Sequence, residues 1–137
     1  MREPVQLSRT QCLELLERQA VGRVTLTTPM GPRILPVNYV VRDDAIWIRT
    51  TPYSQLGTFG PGAVLAFEVD ELDAAGGTAC SVVAQGPAEL VADADELAEL
   101  ERAGGPRPWA SGRRDAYLRL RIRELTGRRV GEREEAW

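Results

Sequence analysis

The stretch "RVTLTTPMGPRILPVNYVVRDDAIWIRT", Arg23 to Thr50, decides the fold. Its first part, "RVTLTT" (23–28), is rich in β-branched residues, and "PMGP" (29–32) reads as a turn. "RILPVNYVV" (33–41) is the next strand, and "RDD" (42–44) turns it back. "AIWIRT" (45–50) then alternates, with Ile46 and Ile48 on one side and Ala45, Trp47 and Arg49 on the other. Three strands joined by short connections make a meander. Pro36 has no N–H to give to a ladder, so it marks an edge, a bulge or a break in the second strand.

Upstream, residues 8–20 read as a helix. Ser8 caps it, with Gln11 three residues on as in a capping box. Leu13, Leu16 and Ala20 repeat at helical spacing, widened by Cys12 and Leu15. Downstream, "AVLAFEVDEL" (63–72) is a fourth strand. "TACSVVAQGPAELV" (78–91) is a long fifth strand, bulged at Gly86-Pro87. "DADELAELERAG" (93–104) is a short helix capped by Asp93 or Asp95 and followed by glycine. After an irregular loop (105–116), "YLRLRIREL" (117–125) alternates. Leu118, Leu120 and Ile122 face in, while Tyr117, Arg119, Arg121 and Arg123 face out. "TGRRV" (126–130) ends the ordered part, and 131–137 is a charged tail. Six strands, a leading helix and one inserted helix predict a small, mainly β barrel in a single domain spanning 1–137.

Composition narrows the chemistry. The chain has 137 residues, enough for one real core. No apolar run approaches the roughly 20 residues that span a bilayer, and the N-terminus lacks an apolar signal core. A cytoplasmic protein with two free thiols, Cys12 and Cys80, is the expectation. There is no histidine, which removes imidazole catalysis and histidine metal sites. All 17 basic residues are arginine, which removes lysine Schiff bases. A net charge of −3 argues against general nucleic-acid binding.

The segment "RTTPYSQL" (49–56) follows the third strand. Arg49 offers a planar fork suited to a phosphate, and Thr50, Thr51, Ser54 and local N–H groups can join it. A helical turn over 53–59 would add to the effect. An ordinary proline turn with exposed polar residues is the commoner use of such a segment. Asn38, in an apolar strand, needs partners that either a ligand or a neighbouring loop can supply. The outward arginines 119, 121 and 123 read as a solvated sheet face.

The order of motifs resembles the FMN-binding split β-barrel family, within it the small pyridoxamine 5′-phosphate oxidase-like proteins. The motifs are "LSRTQCLELLERQAVGRVTL", "LPVNY", "RTTPYSQLG", "AFEVDELD", "CSVVAQGPAELV" and "PWASGRRDAYLRLRIRELTGRR". The resemblance implies a six-stranded split barrel and a homodimer with two flavin sites at its interface. It implies that Pro36, Val37, Asn38 and Tyr39 lie on the strand beside the flavin ring. Arg49, Thr50, Thr51, Ser54 and Gln55 would form the phosphate loop, with Phe67, Glu68, Ser81 and Val82 on strands near the ring. Trp109 and Arg128 would reach the flavin from the second subunit.

Two departures stand out. Relatives usually carry lysine or arginine directly after the phosphate-loop serine, where this chain has Gln55. The strand "CSVVAQG" commonly begins with tryptophan, where this chain has Cys80. The substrate-phosphate residues of true pyridoxamine 5′-phosphate oxidases include a histidine, so that activity is rejected here. The resemblance leaves two functional classes. One is an FMN- or deazaflavin-dependent oxidoreductase with an open face for a small-molecule redox substrate. The other is a dimer that binds flavin, deazaflavin or haem without turnover, or that has lost its cofactor. Neither involves nucleic acid or membrane.

Overall fold

The computed structural model describes residues 4–91, 93–104 and 116–131. The strands are β1 (Val5–Gln6), β2 (Val21–Thr28), β3 (Gly31–Arg42), β4 (Ala45–Thr50), β5 (Val64–Asp73), β6 (Thr78–Val91), β7 (Ala116–Arg121) and β8 (Glu124–Gly131). The helices are α1 (Arg9–Arg18), α2 (Gln55–Phe59) and α3 (Ala94–Arg102). Every pairing is antiparallel. β2, β3, β4, β7, β6 and β5 follow one another around a closed six-stranded barrel. β8 extends the wall along β6, and β1 adds to β8.

The barrel closes because β6 serves two sheets. Its first part pairs with β5 and β8, and its last four residues pair with β7. The expected single strand over 117–125 is therefore two strands, and its continuation to Gly131 is paired and ordered. The break has a local cause. Register runs Ala88↔Leu120 on one side and Gln85↔Glu124 on the other, so the strand facing Gly86-Pro87 holds one extra residue. The irregularity lies at Gly86-Pro87, but the bulge is on the opposite strand. A Cβ at Gly86 would sit 1.6 Å from the Arg121 carbonyl oxygen, so only glycine admits this approach. Ile122 N–H, turned out of the ladder, donates to Asp44 O at 2.9 Å.

β3 explains its proline. Residues 31–38 pair with β2 without interruption, and among the described residues no strand pairs with their other edge. Pro32 and Pro36 have the same parity, so both turn their missing N–H towards that open edge. Further along, Tyr39–Arg42 pair with β4 on that side.

α1 forms as the capping box predicts. Ser8 N–H donates to Gln11 Oε1 at 2.8 Å, and Gln11 N–H donates to Ser8 Oγ at 3.2 Å. Gln19 is already extended, so the helix stops short of 20, and Ala20 is exposed rather than part of the apolar stripe. Cys12, Leu15 and Leu16 bury their side chains in the barrel core with Val24, Phe67, Val82, Leu118 and others. Tyr39 and Phe67 meet edge to face there, with centroids 4.7 Å apart. Gly22 makes room for them, since a Cβ at that position would lie 2.1 Å from Phe67 Cζ.

A second, smaller cluster corrects the outward reading of Tyr117. Ala45, Trp47, Val91, Leu100 and Tyr117 are all buried, with Val40 and Leu97 against them. Tyr117 does point away from the barrel core, but α3 covers that face with Leu97 and Leu100. No described helix is long and apolar enough to cross a membrane.

Candidate functional site

The turn after β4 is knitted by its own hydroxyls. Ser54 caps α2 by accepting from Gly57 N–H at 3.0 Å, and it donates to Thr51 O at 2.9 Å. That uses its one proton, so in the 2.7 Å contact between Thr50 Oγ1 and Ser54 Oγ the threonine donates. Thr51 Oγ1 accepts from Ser54 N–H at 3.1 Å, which leaves its own hydrogen for a partner outside the turn. Thr50 is buried, Thr51 and Ser54 are half-buried, and Gln55 is exposed as the first residue of α2. The segment is thus both a turn and a helix start, with Arg49 and Thr51 best placed to act outward.

Strand parity sorts the other candidates. Tyr39 pairs with Ile48 as the last pair of the β3–β4 ladder, and Asn38 and Arg49 are the next residues of the two strands, with the parity opposite to that core-facing pair. Arg49 pairs with Tyr117 on β7, and its guanidinium carbon sits 5.8 Å from that ring centroid. On the other side Asn38 pairs with Val21. The register of β2 with β5 carries the row on to Asp70, and Asp70, Ser81 and Arg128 follow as cross-strand partners. A neighbouring row holds Pro36, Arg23 and Glu68. Asn38, Arg49, Pro36, Glu68, Ser81 and Arg128 therefore share the outer face of one continuous sheet. Val37, Tyr39, Phe67 and Val82 have the opposite parity and face the core. Trp109 lies outside the described residues.

Two contributors escaped the sequence reading. Arg23 donates to Glu68 at 2.5 Å and to Asp70 at 2.9 Å, so one guanidinium bridges two carboxylates in the middle of this face and offsets half of their charge. The hydrogen bond to Glu68 raises the Arg23 pKa further above its ordinary value. Alternation in "RVTLTT" places Arg23 outward, but only the β2–β5 register reveals its partners.

Inside the barrel the titratable groups are inert. The Tyr39 hydroxyl donates to Leu16 O at 2.5 Å, and burial pushes its pKa far up. Burial also raises Cys12 and Cys80, so neither thiol is poised as a nucleophile. Among the described residues no three His, Cys, Asp or Glu side chains gather as a metal site. The outer face supplies a guanidinium, an amide, hydroxyls and carboxylates bridged by arginine, which is chemistry for holding and orienting a polar ligand rather than for attacking one.

Comparison with known proteins places this geometry. The family described as pyridoxamine 5′-phosphate oxidase matches residues 8–129. The Mycobacterium tuberculosis protein Rv0080 is 32% identical over 134 residues, covering 94% of this chain and 87% of its own length. Among solved structures, the FAD binding protein from Mycobacterium smegmatis is 30% identical with a TM-score of 0.78, covering 93% of this chain and 98% of that one. A Corynebacterium glutamicum protein, provisionally assigned as a pyridoxamine 5′-phosphate oxidase, is 32% identical with a TM-score of 0.81. That alignment covers 95% of this chain and 100% of the other.

Proposed function

Because this chain belongs to the pyridoxamine 5′-phosphate oxidase family, we propose that it binds a flavin on the outer face of its sheet, as FMN, and serves as a flavin-dependent oxidoreductase. The observation that carries the reading is the position of Arg49 near the end of β4, just before the hydroxyl-rich turn and one residue past the last β3–β4 pair, Tyr39↔Ile48. A phosphate needs a planar cation and donors converging from a firm backbone. Arg49 and Thr51 supply these for the phosphate, and Asn38 offers an amide to the polar edge of the ring. Arg23 reduces the repulsion of the anion by Glu68 and Asp70. The residues present fit the group. When bound, the flavin supplies hydride or electron transfer, and the chain's own part is to hold, orient and partly desolvate it. The similarity to a protein described as FAD binding supports a flavin of some form.

Pyridoxamine phosphate oxidation is not part of the proposal, since the chain has no histidine. A homodimer is. Ile34, Val64 and Leu72 are 68%, 65% and 73% exposed on the outer face, single apolar side chains on either side of Glu68 and Asp70 that a second copy would cover. A monomeric mass by light scattering at micromolar concentration would remove that part.

The test is a titration of the purified protein with FMN, FAD, riboflavin and deazaflavin, followed by flavin fluorescence. Arg49→Ala should weaken FMN at least tenfold, since truncating a charge-assisted hydrogen bond costs about 1.5–3 kcal/mol. Unchanged FMN affinity in a folded Arg49→Ala variant would exclude the phosphate role. A protein that takes up none of these compounds would exclude flavin binding altogether. Bleaching of the bound flavin by NADH or NADPH is the expected sign of turnover, and a flavin inert to every reductant would leave a binding module.

A further inference from the structure

Two arginines on this barrel lie against aromatic rings of the neighbouring strand. Arg119 sits over the Trp47 ring at 5.2 Å, and Arg49 over the Tyr117 ring at 5.8 Å. Each is a cross-strand pair between β4 and β7, so the two stacks stand side by side. Arg119 is held by the carboxylates of Glu89 and Glu96, and its side chain is only 16% exposed. It works within the structure. Arg49 stands near the end of β4, just before the turn.

The Tyr117 ring beneath Arg49 does not move freely. It is 3% exposed and packs with Trp47, Val91 and Leu100. Leu97 and Leu100 come from α3, so that helix forms the seat of the ring. α3 is pinned at two places, by Arg42 to Glu99 at 3.2 Å and by Arg119 to Glu96 at 3.6 Å. The first Arg–aromatic pair thus helps to fasten the helix that seats the second.

An arginine that clamps an anion must give up rotamer freedom. A ring that already fixes the guanidinium plane removes part of that cost. We propose that Tyr117, seated by α3, is a positioning residue that presets Arg49 for the ligand's phosphate. This inference rests on the flavin-binding reading above. It assigns α3, which seats Tyr117, a role at the site.

The experiment compares FMN with riboflavin, which differ by the phosphate alone. Tyr117→Leu, which removes the π face, should weaken FMN about fivefold, the size of a partly desolvated cation–π contact. Riboflavin affinity should not change, Tyr117→Phe should restore FMN binding to within about twofold, and the loss should vanish in the Arg49→Ala background. Equal losses for FMN and riboflavin would show a merely structural role. An undiminished FMN loss in the Arg49→Ala background would show that Tyr117 does not act through Arg49. If Tyr117→Leu fails to fold, Leu97→Ala loosens the α3 seat and reads the same comparison. A loss for FMN alone supports the inference, and equal or absent losses overturn it. A wild-type protein that binds neither compound removes the flavin reading and this inference together. A wild type that binds FMN, with Tyr117→Leu unchanged, removes this inference only.

Discussion

Replacing Gln55 by lysine tests the site from its weakest point. Gln55 is the first residue of α2 and is exposed directly after the Ser54 cap. A lysine there brings a cation on a four-carbon stem to the side of the turn where Arg49 and Thr51 act. Two effects separate cleanly. In the bound state the new ammonium adds a charge-assisted hydrogen bond to the phosphate, about 1.5–3 kcal/mol. Solvent exposure holds the gain near the lower end, so FMN should bind about tenfold more tightly. In the free protein the same cation faces the positive end of a short helix, which costs about 0.3–1 kcal/mol. Gln55→Lys should therefore bind FMN better while unfolding at a slightly lower temperature without ligand. Fluorescence titrations with FMN and riboflavin, at about 0.1 M and about 1 M salt, resolve the origin of the gain. It should appear for FMN only and shrink at high salt, and Gln55→Met should not reproduce it. Equal or weaker FMN binding, or an equal gain for riboflavin, would mean that the turn does not face the phosphate.

Two further predictions concern the scaffold. Gly22→Ala should destabilise by about 1–3 kcal/mol in urea unfolding, because its Cβ would enter the fully buried Phe67 ring at 2.1 Å; a change below about 0.5 kcal/mol would mean that the ring yields. The second is alkaline lability. Burial raises the pKa values of Cys12, Cys80, Tyr39 and Tyr117 in the folded chain. The unfolded chain then releases these protons first, so their contribution is complete below the ordinary thiol pKa of about 8.5 and falls as pH rises towards the raised values. The urea midpoint should decline above about pH 8.5, and a flat profile up to the tyrosine range would contradict the burial argument.

Much of the barrel was legible because its strands alternate. Ile46 and Ile48 against Trp47 and Arg49, or Leu118 and Leu120 against Arg119, carry their facing in the sequence. The helix caps were equally plain, since Ser8 and Asp93 are local devices. Three-dimensional closure was not legible. The register shift opposite Gly86 depends on how close the Arg121 carbonyl comes, and no periodicity in 117–125 announces it. Tyr117 reads as outward and is outward, yet it is buried, because the cover comes from a helix that follows β6 in sequence. The site shows the same limit. "PVNY" and "FE" are consecutive residues, but successive side chains on a strand point to opposite faces. Pro36, Asn38 and Glu68 reach the outer face, while Val37, Tyr39 and Phe67 build the core.

That division bears on what the outer face can bind. The chain carries a net charge of −3, and its candidate site includes Asp70 in the row of Asn38 and Glu68 in the row beside it. Two bare carboxylates there would oppose any phosphate, and the opposition would be felt over several ångströms at low ionic strength. Arg23 answers both with one side chain, through bonds that the open face leaves partly solvated. Its contribution to folding is accordingly small, as for other exposed pairs. Its contribution to ligand choice is larger: Arg23 halves the negative charge at the centre of the face, which leaves Arg49 less to overcome in attracting an anion. The fold tolerates many substitutions at such a position. A ligand with a phosphate does not, which makes the Arg23–Glu68–Asp70 cluster part of the site's electrostatics even where it touches no phosphate.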